Sequence, residues 1–505
     1  MLIDLRLVDI WLYEAWLLEN EELSLEKRLR LQIPRVVGVE QKILVIPPGS
    51  MESATPAFKL GHTQIHPLSA SETVALLRDG YLTVSDYAER LLSRASERND
   101  MVNAWAYLDP SLVMEQARRL DAIPANERGP LHGVAVGIKD ILTTRDMPTR
   151  YGSRIFQDDK RTSVDATAVL ILRSAGALIF GKTSTTEFAA THRGGSCRNP
   201  HNTDHTPGGS SSGSAAAVAD FQVPIAIGSQ TAGSIVRPAA YNGVYGIKPT
   251  WGAVATQGMS QFSPTCDTLG FFARTLQDLE LLASVFRFPL QRNQISTANG
   301  DLRVAFLKTA AWEKAEPSLQ EAWEDCKTSF GQLGISYANV VLPQEFANLQ
   351  LEGWHDDILT FEAQRTFLGA YLTSKSLLDP TIVQRLEKKD VSPDIILQRY
   401  NSCVGLRSEW DEFARNYDII ITPSVTGEAP YGLEYTGDSC FNSMWTLLHA
   451  PVINVPGLKG NAGLPFGLSV VGSRYEESKV FRAAQFLADV FCQERSLQPE
   501  VVKGQ

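Results

Sequence analysis

Apolar residues are spaced unevenly along this chain, and their spacing predicts its elements. In the first thirty positions Leu5, Leu7, Val8, Ile10, Trp11, Leu12, Trp16 and Leu17 recur at roughly helical intervals, interrupted by Asp4, Asp9 and Glu14. No small-residue cleavage site follows, so the pattern predicts an amphipathic helix docked on its own protein or a partner rather than a signal peptide. It lacks the basic face of a membrane-surface anchor. Residues 34–60, with Pro34, Pro47, Pro48, Gly49 and Pro56, read as a linker holding one short strand, Lys42 to Ile46.

The globular body begins near Pro67. Ser69 and Glu72 have capping-box spacing for a helix over Ser71–Arg78 that Gly80 ends, and Thr83 with Asp86 starts the next. Short apolar runs predict strands at Asn103–Tyr107, Val134–Ile138, Ala177–Phe180 (ended by Gly181), Ile419–Ile421 and Leu468–Val471, with a helix over Asp165–Ser174. Strands alternating with helices predict an α/β protein with a mixed or parallel sheet covered on both faces. From Gly208 to about Gly258 the chain turns to Gly, Ser, Ala and Thr, yet Ala215–Ala219, Val223 and Ile225 embed that stretch in apolar sequence. Backbone packed closely around something is the reading, not a flexible linker.

Composition narrows the picture. The 505 residues carry 47 Lys plus Arg against 57 Asp plus Glu, a net charge of −10 with no block of like charge, which argues against a phosphate-reading nucleic-acid surface. The six cysteines are scattered without a CxxC, as expected of free thiols in a reducing, cytoplasmic setting. No uninterrupted apolar run is long enough to span a bilayer.

Three segments carry candidate chemistry: Val136-Gly137-Ile138-Lys139-Asp140, a lysine at the end of an apolar strand; the run Thr206-Pro207-Gly208-Gly209-Ser210-Ser211-Ser212-Gly213-Ser214; and Ser229-Gln230-Thr231-Ala232-Gly233-Ser234-Ile235-Val236-Arg237-Pro238. Each alone is weak. In this order they resemble the amidase signature family, whose pattern is a Lys-Asp after a strand, a PGGSSGGS loop, and a TGGS turn ending in the nucleophile. The separation of Ser210 from Ser234 matches that family. Gly181-Lys182-Thr183 with Glu187-Phe188, Asn199-Pro200, Gly246-Ile247-Lys248-Pro249-Thr250, Asp267-Thr268-Leu269-Gly270 and Gly463-Leu464-Pro465-Phe466-Gly467-Leu468 extend the likeness. It covers roughly residues 67–490, is strongest over 131–275, and leaves residues 1–60 outside as an N-terminal extension and linker.

The resemblance implies an α/β/α fold, a large twisted mixed β-sheet between helical layers. It implies a serine amidohydrolase that cleaves a carboxamide through an acyl-enzyme, with Ser234 as nucleophile, Ser210 as bridging serine and Lys139 as base. It places the oxyanion hole in the backbone of Thr231, Ala232 and Gly233, with the N–H of Ser234 itself. It implies a small-molecule amide substrate, no cofactor and no metal, leaves room for a homodimer, and puts an acyl pocket in residues 300–440, where Trp312, Trp323, Trp354, Phe361, Phe367, Tyr371 and Tyr400 lie. The proton path makes chemical sense: a serine hydroxyl needs a neighbour to take its proton, and a lysine serves only when its pKa is brought down from about 10.4 by burial or nearby positive charge.

The chain departs from the pattern in four places. Ala232 replaces the first glycine before the nucleophile, Ser212 stands in a glycine place, Gln230 stands where many relatives have Asp, and the basic residue falls at Arg237, one position late. Gln230 and Arg237 favour a free-standing amidase over one alternative, the glutaminase subunit of a tRNA amidotransferase, and the presence of all three triad residue types argues against the other, an inactive scaffold. Arg237 either selects substrates bearing an acid group or braces the turn through an internal carboxylate or carbonyl. His192, Cys197, His201 and His205 are donors of the kind zinc takes, but their spacing matches no standard site. His132 reads as structural and Cys266 as a buried free thiol.

Overall fold

The computed structural model describes residues 67–158, 161–290, 302–349, 353–389 and 391–497. The N-terminal helix, the linker and the Lys42–Ile46 strand predicted from sequence lie outside the described residues. One sheet of eleven strands organises the rest, in the order β1-β3-β2-β4-β6-β5-β10-β11-β9-β7-β8. In chain order these are β1 (Trp105–Tyr107), β2 (Ala135–Lys139), β3 (Leu178–Thr183), β4 (Ile225–Gln230), β5 (Tyr245–Lys248), β6 (Thr268–Ala273), β7 (Val304–Lys308), β8 (Tyr337–Val341), β9 (Ile419–Pro423), β10 (Val452–Lys459) and β11 (Pro465–Val471). The sheet is mixed: β3, β2 and β4 run parallel, as do β9, β7 and β8, with antiparallel pairings between the two groups.

Side-chain alternation shows how the sheet is covered. Val136 and Ile138 of β2, Ile225 and Ile227 of β4, Phe271 of β6, Phe306 of β7 and Ile421 of β9 join one apolar core with helices Thr167–Ser174 and Glu477–Leu497. Their sequence neighbours Ala135, Ala226 and Phe272 enter a second core with helices Val84–Val102 and Ser212–Ala219. Ala305, Leu307 and Ile420 enter a third, under helices Trp354–Thr366 and Pro393–Arg415. This is the α/β/α arrangement expected.

Local signals act as the sequence suggests. The Ser69 backbone N–H reaches Glu72 Oε2 at 2.8 Å while the Glu72 N–H reaches Ser69 Oγ at 3.1 Å, closing the capping box of helix Ala70–Arg78. The Asp86 N–H donates to Thr83 Oγ1 at 3.0 Å. One expectation fails: β3 does not stop at Gly181 but runs on to Thr183, because parallel pairing with β2 continues through Gly181 and Lys182. The small residues of the Gly/Ser stretch also have a geometric reason. A Cβ at Gly213 would stand 2.2 Å from the Ala104 carbonyl oxygen, and one at Gly228 would stand 2.6 Å from the Phe272 ring.

Candidate active site

Strands β2, β3 and β4 end side by side, and the candidate groups gather beyond their carboxyl ends, where open α/β sheets usually place ligands. Lys139 closes β2 with no exposed surface. Its Nζ lies 2.8 Å from Ser210 Oγ, 2.9 Å from Ser229 Oγ and 3.4 Å from the Ser229 carbonyl oxygen. Among the described residues no carboxylate comes within ion-pair distance of it. Burial holds the Lys139 amine well below the usual lysine range; the Asp267 charge works against this and the Arg237 charge with it.

The three consecutive serines have different environments. Ser210 meets Lys139. Ser211 Oγ instead donates to the Ser229 carbonyl at 3.1 Å and accepts from the Ser229 N–H at 3.3 Å. Ser212, in the place of a glycine, opens helix Ser212–Ala219, its Oγ 3.4 Å from the Ser210 carbonyl oxygen. The loop is anchored from outside by the Thr186 N–H, which donates to the Ser210 carbonyl at 3.3 Å.

Ser234 sits at the end of the turn between β4 and helix Val236–Asn242, and is 6% exposed. Ala232 is absent from the residues with positive φ, so the missing glycine needs no strained backbone there. Among the described residues the N–H groups of Ala232, Gly233 and Ser234 find no backbone or side-chain acceptor within the protein. The turn is fixed by its other groups. Thr231 Oγ1 donates to Asp267 Oδ1 at 2.5 Å, the Thr231 carbonyl lies 3.0 Å from His355 Nε2, and the Ala232 carbonyl accepts from Thr446 Oγ1 at 2.8 Å. Gln230 Oε1 takes the N–H groups of Ile235 and Val236 at 2.9 and 3.1 Å, capping the helix that follows Ser234.

Arg237 is buried in that helix. Its Nη2 donates to the Gly209 carbonyl at 2.7 Å and contacts Thr436 Oγ1 at 3.4 Å. Its Nε and Nη1 have no partner, and no carboxylate pairs with it among the described residues. His201 and His205 bond separately to the carbonyls of Asn242 and Ala429, at 2.9 and 2.8 Å, and Cys197 is buried. His132 and Cys266 are buried as well.

Sequence reasoning passed over Ser229, Asp267, His355 and Thr446. Ser229 had a signal, a hydroxyl near the end of the strand beside the one carrying the lysine. Asp267 stood in a family-like motif with no role assigned. His355 and Thr446 come from distant helices and left no local trace. A cleft of about 220 Å³ opens next to the turn, lined by Lys314, Asp438, Ser439 and Ser443 among others; Ser439 Cβ would be 3.0 Å from a Cβ at Gly233. Val236, two residues beyond Ser234, joins an apolar cluster with Phe188, Phe262, Trp354 and Phe367.

A sequence model of the amidase family matches residues 86–481, and the chain belongs to that family, whose enzymes act on carbon–nitrogen bonds. Among curated relatives it is 30% identical over 459 residues to a glutamyl-tRNA(Gln) amidotransferase subunit of Exiguobacterium sibiricum, covering 81% of this chain and 94% of the relative. A protein of the same name from Lysinibacillus sphaericus is 30% identical over 469 residues, covering 82% and 95%. Among solved structures, one described as an amidase superposes with a TM-score of 0.74 at 27% identity, covering 85% of this chain and all of the other. The peptide amidase PAM in complex with the competitive inhibitor chymostatin gives 0.69 at 26% identity, covering 85% and 98%. No described helix is long and apolar enough to cross a membrane.

Proposed function

We propose that this protein is a free-standing amidase that hydrolyses a carboxamide through an acyl-enzyme on Ser234, with Ser210 and Lys139 as its proton relay. The observation that carries the reading is the 2.8 Å contact between Lys139 Nζ and Ser210 Oγ, around an amine with no carboxylate partner among the described residues. A neutral amine has one lone pair and two N–H groups. The lone pair takes the Ser210 hydroxyl proton, and the N–H groups donate to the Ser229 hydroxyl and carbonyl. As Ser234 Oγ bonds to the substrate carbonyl carbon, its proton passes to Ser210 Oγ while the Ser210 proton passes to Lys139. The oxyanion develops against the unpartnered N–H groups of Ala232, Gly233 and Ser234, with Thr231 starting the turn. On collapse the C–N bond breaks and the relay runs backwards to protonate the leaving nitrogen. Water then attacks the acyl-enzyme by the same path and frees the acid.

The Phe188, Phe262, Trp354 and Phe367 cluster beside the turn supports an aryl or medium-length acyl group. A second reading, the glutaminase subunit of a tRNA amidotransferase, is favoured by the names of the curated relatives. The test is labelling with a fluorophosphonate probe mapped by mass spectrometry, followed by turnover of aliphatic, aryl, indolic and amino-acid amides, glutamine included. Labelling of Ser234 and hydrolysis by the protein alone are expected. Turnover of glutamine only, and only with added partner proteins, would replace the first reading by the second; no labelling of Ser234 would overturn both.

A further inference from the structure

Arg237 is an anomaly in the fold. A buried guanidinium normally pairs with a carboxylate, because an isolated buried charge costs stability. Arg237 is 3% exposed, has two nitrogens without a partner among the described residues, and makes its one short bond there to the Gly209 carbonyl. That carbonyl belongs to the peptide leading into Ser210, whose hydroxyl meets Lys139. The charged or titratable groups around Arg237 are Tyr241 on its own helix and, from the segment after β9, Tyr435, Asp438 and Cys440. His192, from the loop after β3, feels its charge. Asp438 is already engaged by Lys314 at 2.9 Å and by the Cys440 N–H at 2.9 Å. Lys139 in turn feels the charges of Asp267 and Arg237, with the hydroxyls of Ser210 and Ser229 against it.

We propose that Arg237 is a positioning residue: it fixes Ser210 through the Gly209 carbonyl, and its guanidinium, without a counter-ion among the described residues, sets a positive charge against the peptide that leads into the Ser210–Lys139 contact. This rests on the reading of Lys139 as the base. The missing carboxylate then has a purpose, since a counter-ion on Arg237 would cancel the field that Lys139 feels. Burial alone moves a lysine toward neutrality, but Asp267 pulls the other way, and Arg237 offsets that pull.

The test is the pH dependence of kcat/KM for a neutral amide. Loss of the positive charge lets Lys139 hold its proton to higher pH, so the acid limb for Arg237→Gln should move up by about one pH unit. Activity on the acid side should fall about tenfold and return above the new midpoint. Arg237→Lys keeps the charge and should keep the wild-type midpoint while lowering kcat. Thr436→Asp supplies the absent counter-ion beside Nη2 and should move the limb up as Arg237→Gln does, which preserves the test if the glutamine variant does not fold. An unmoved limb in folded Arg237→Gln or Thr436→Asp would overturn the proposal, as would a KM rise confined to amides bearing an acid group. If Ser234 of the wild-type protein is not labelled by the fluorophosphonate, it is the relay reading that fails, independently of the limb.

Discussion

Two lysines on neighbouring strands, equally buried, live in opposite chemical settings. Lys139 ends β2 and Lys182 lies near the end of β3, where it is the register partner of Ile138. Neither has any exposed surface. Lys182 Nζ holds Asp140 Oδ1 at 2.9 Å, Thr149 Oγ1 at 2.7 Å and the Pro148 carbonyl at 3.2 Å. It is a cation with its counter-ion, welding β3 to the segment after β2. Lys139 is met by two serine hydroxyls and one carbonyl, with no carboxylate in reach among the described residues. Burial pulls both amines down, but Asp140 pushes Lys182 back by direct contact, whereas only the more remote Asp267 does so for Lys139. Burial therefore does not by itself make a lysine a base; what decides is whether the pocket offers it a negative charge or a proton to take.

The sharpest way to break the comparison is to remove each amine in turn. Lys139→Ala should lower turnover by about 10⁴–10⁶-fold, as removal of a member of a catalytic unit does, and leave the melting temperature near that of the wild type. The loss should be worst near neutral pH and ease as hydroxide replaces the base. Ser210→Ala, which interrupts the relay while leaving the amine, should cost on the order of 10³-fold, within the usual range for general acid–base help. Ser211→Ala should leave most activity, because its hydroxyl faces the Ser229 backbone. An active Ser210→Ala beside an inactive Ser211→Ala would move the relay one residue along the loop.

Lys182→Met should do the reverse. It leaves Asp140 buried and uncompensated, a defect worth about 3–5 kcal/mol, read as a lower melting temperature by calorimetry. The folded fraction at low temperature should still label at Ser234. A Lys182→Met protein that melts like the wild type but no longer labels would show that the two lysines have not been told apart.

The sequence told these two lysines apart only by resemblance. Local pattern was enough for the capped helices and for most of β2, β9 and β11, since capping and apolar runs are short-range signals. It failed where pairing across the sheet decides: β3 runs through Gly181 because β2 lies alongside, and β10, buried at one end and exposed at the other, has no clean period. The Ser210–Lys139 contact was readable as a motif. Its electrostatics were not, because Asp267 and Arg237 approach Lys139 from distant parts of the chain. His355 and Thr446, which hold the turn by its carbonyls, come from helices distant in sequence, one of them, Ser443–Leu447, buried along its whole length, so no local pattern marks either residue.

The smallest expected effect comes from Asp267, the negative counterpart of Arg237. Its carboxylate accepts from Thr231 Oγ1 and from the N–H groups of Phe262 and Ser263, at 2.7 and 3.1 Å for the latter two, so it ties the oxyanion turn to the loop before β6. Burial raises it to about 6, more than these hydrogen bonds can offset. The folded protein therefore holds the Asp267 proton more tightly than the unfolded chain does. The stability this contributes is fully present below the ordinary carboxyl range of about 4 and is lost as pH rises through about 6. Asp267→Asn should flatten the fall of melting temperature across that window, and lose about 1–3 kcal/mol overall because Phe262 and Ser263 keep only a poorer acceptor. It also removes the charge that favours protonated Lys139, so the acid limb of kcat/KM should move down by up to about one pH unit, opposite to Arg237→Gln. Melting curves and rate profiles over the same pH series check both signs. An upward shift of the limb would mean that Asp267 acts on Lys139 through the position of Thr231 and not through its charge.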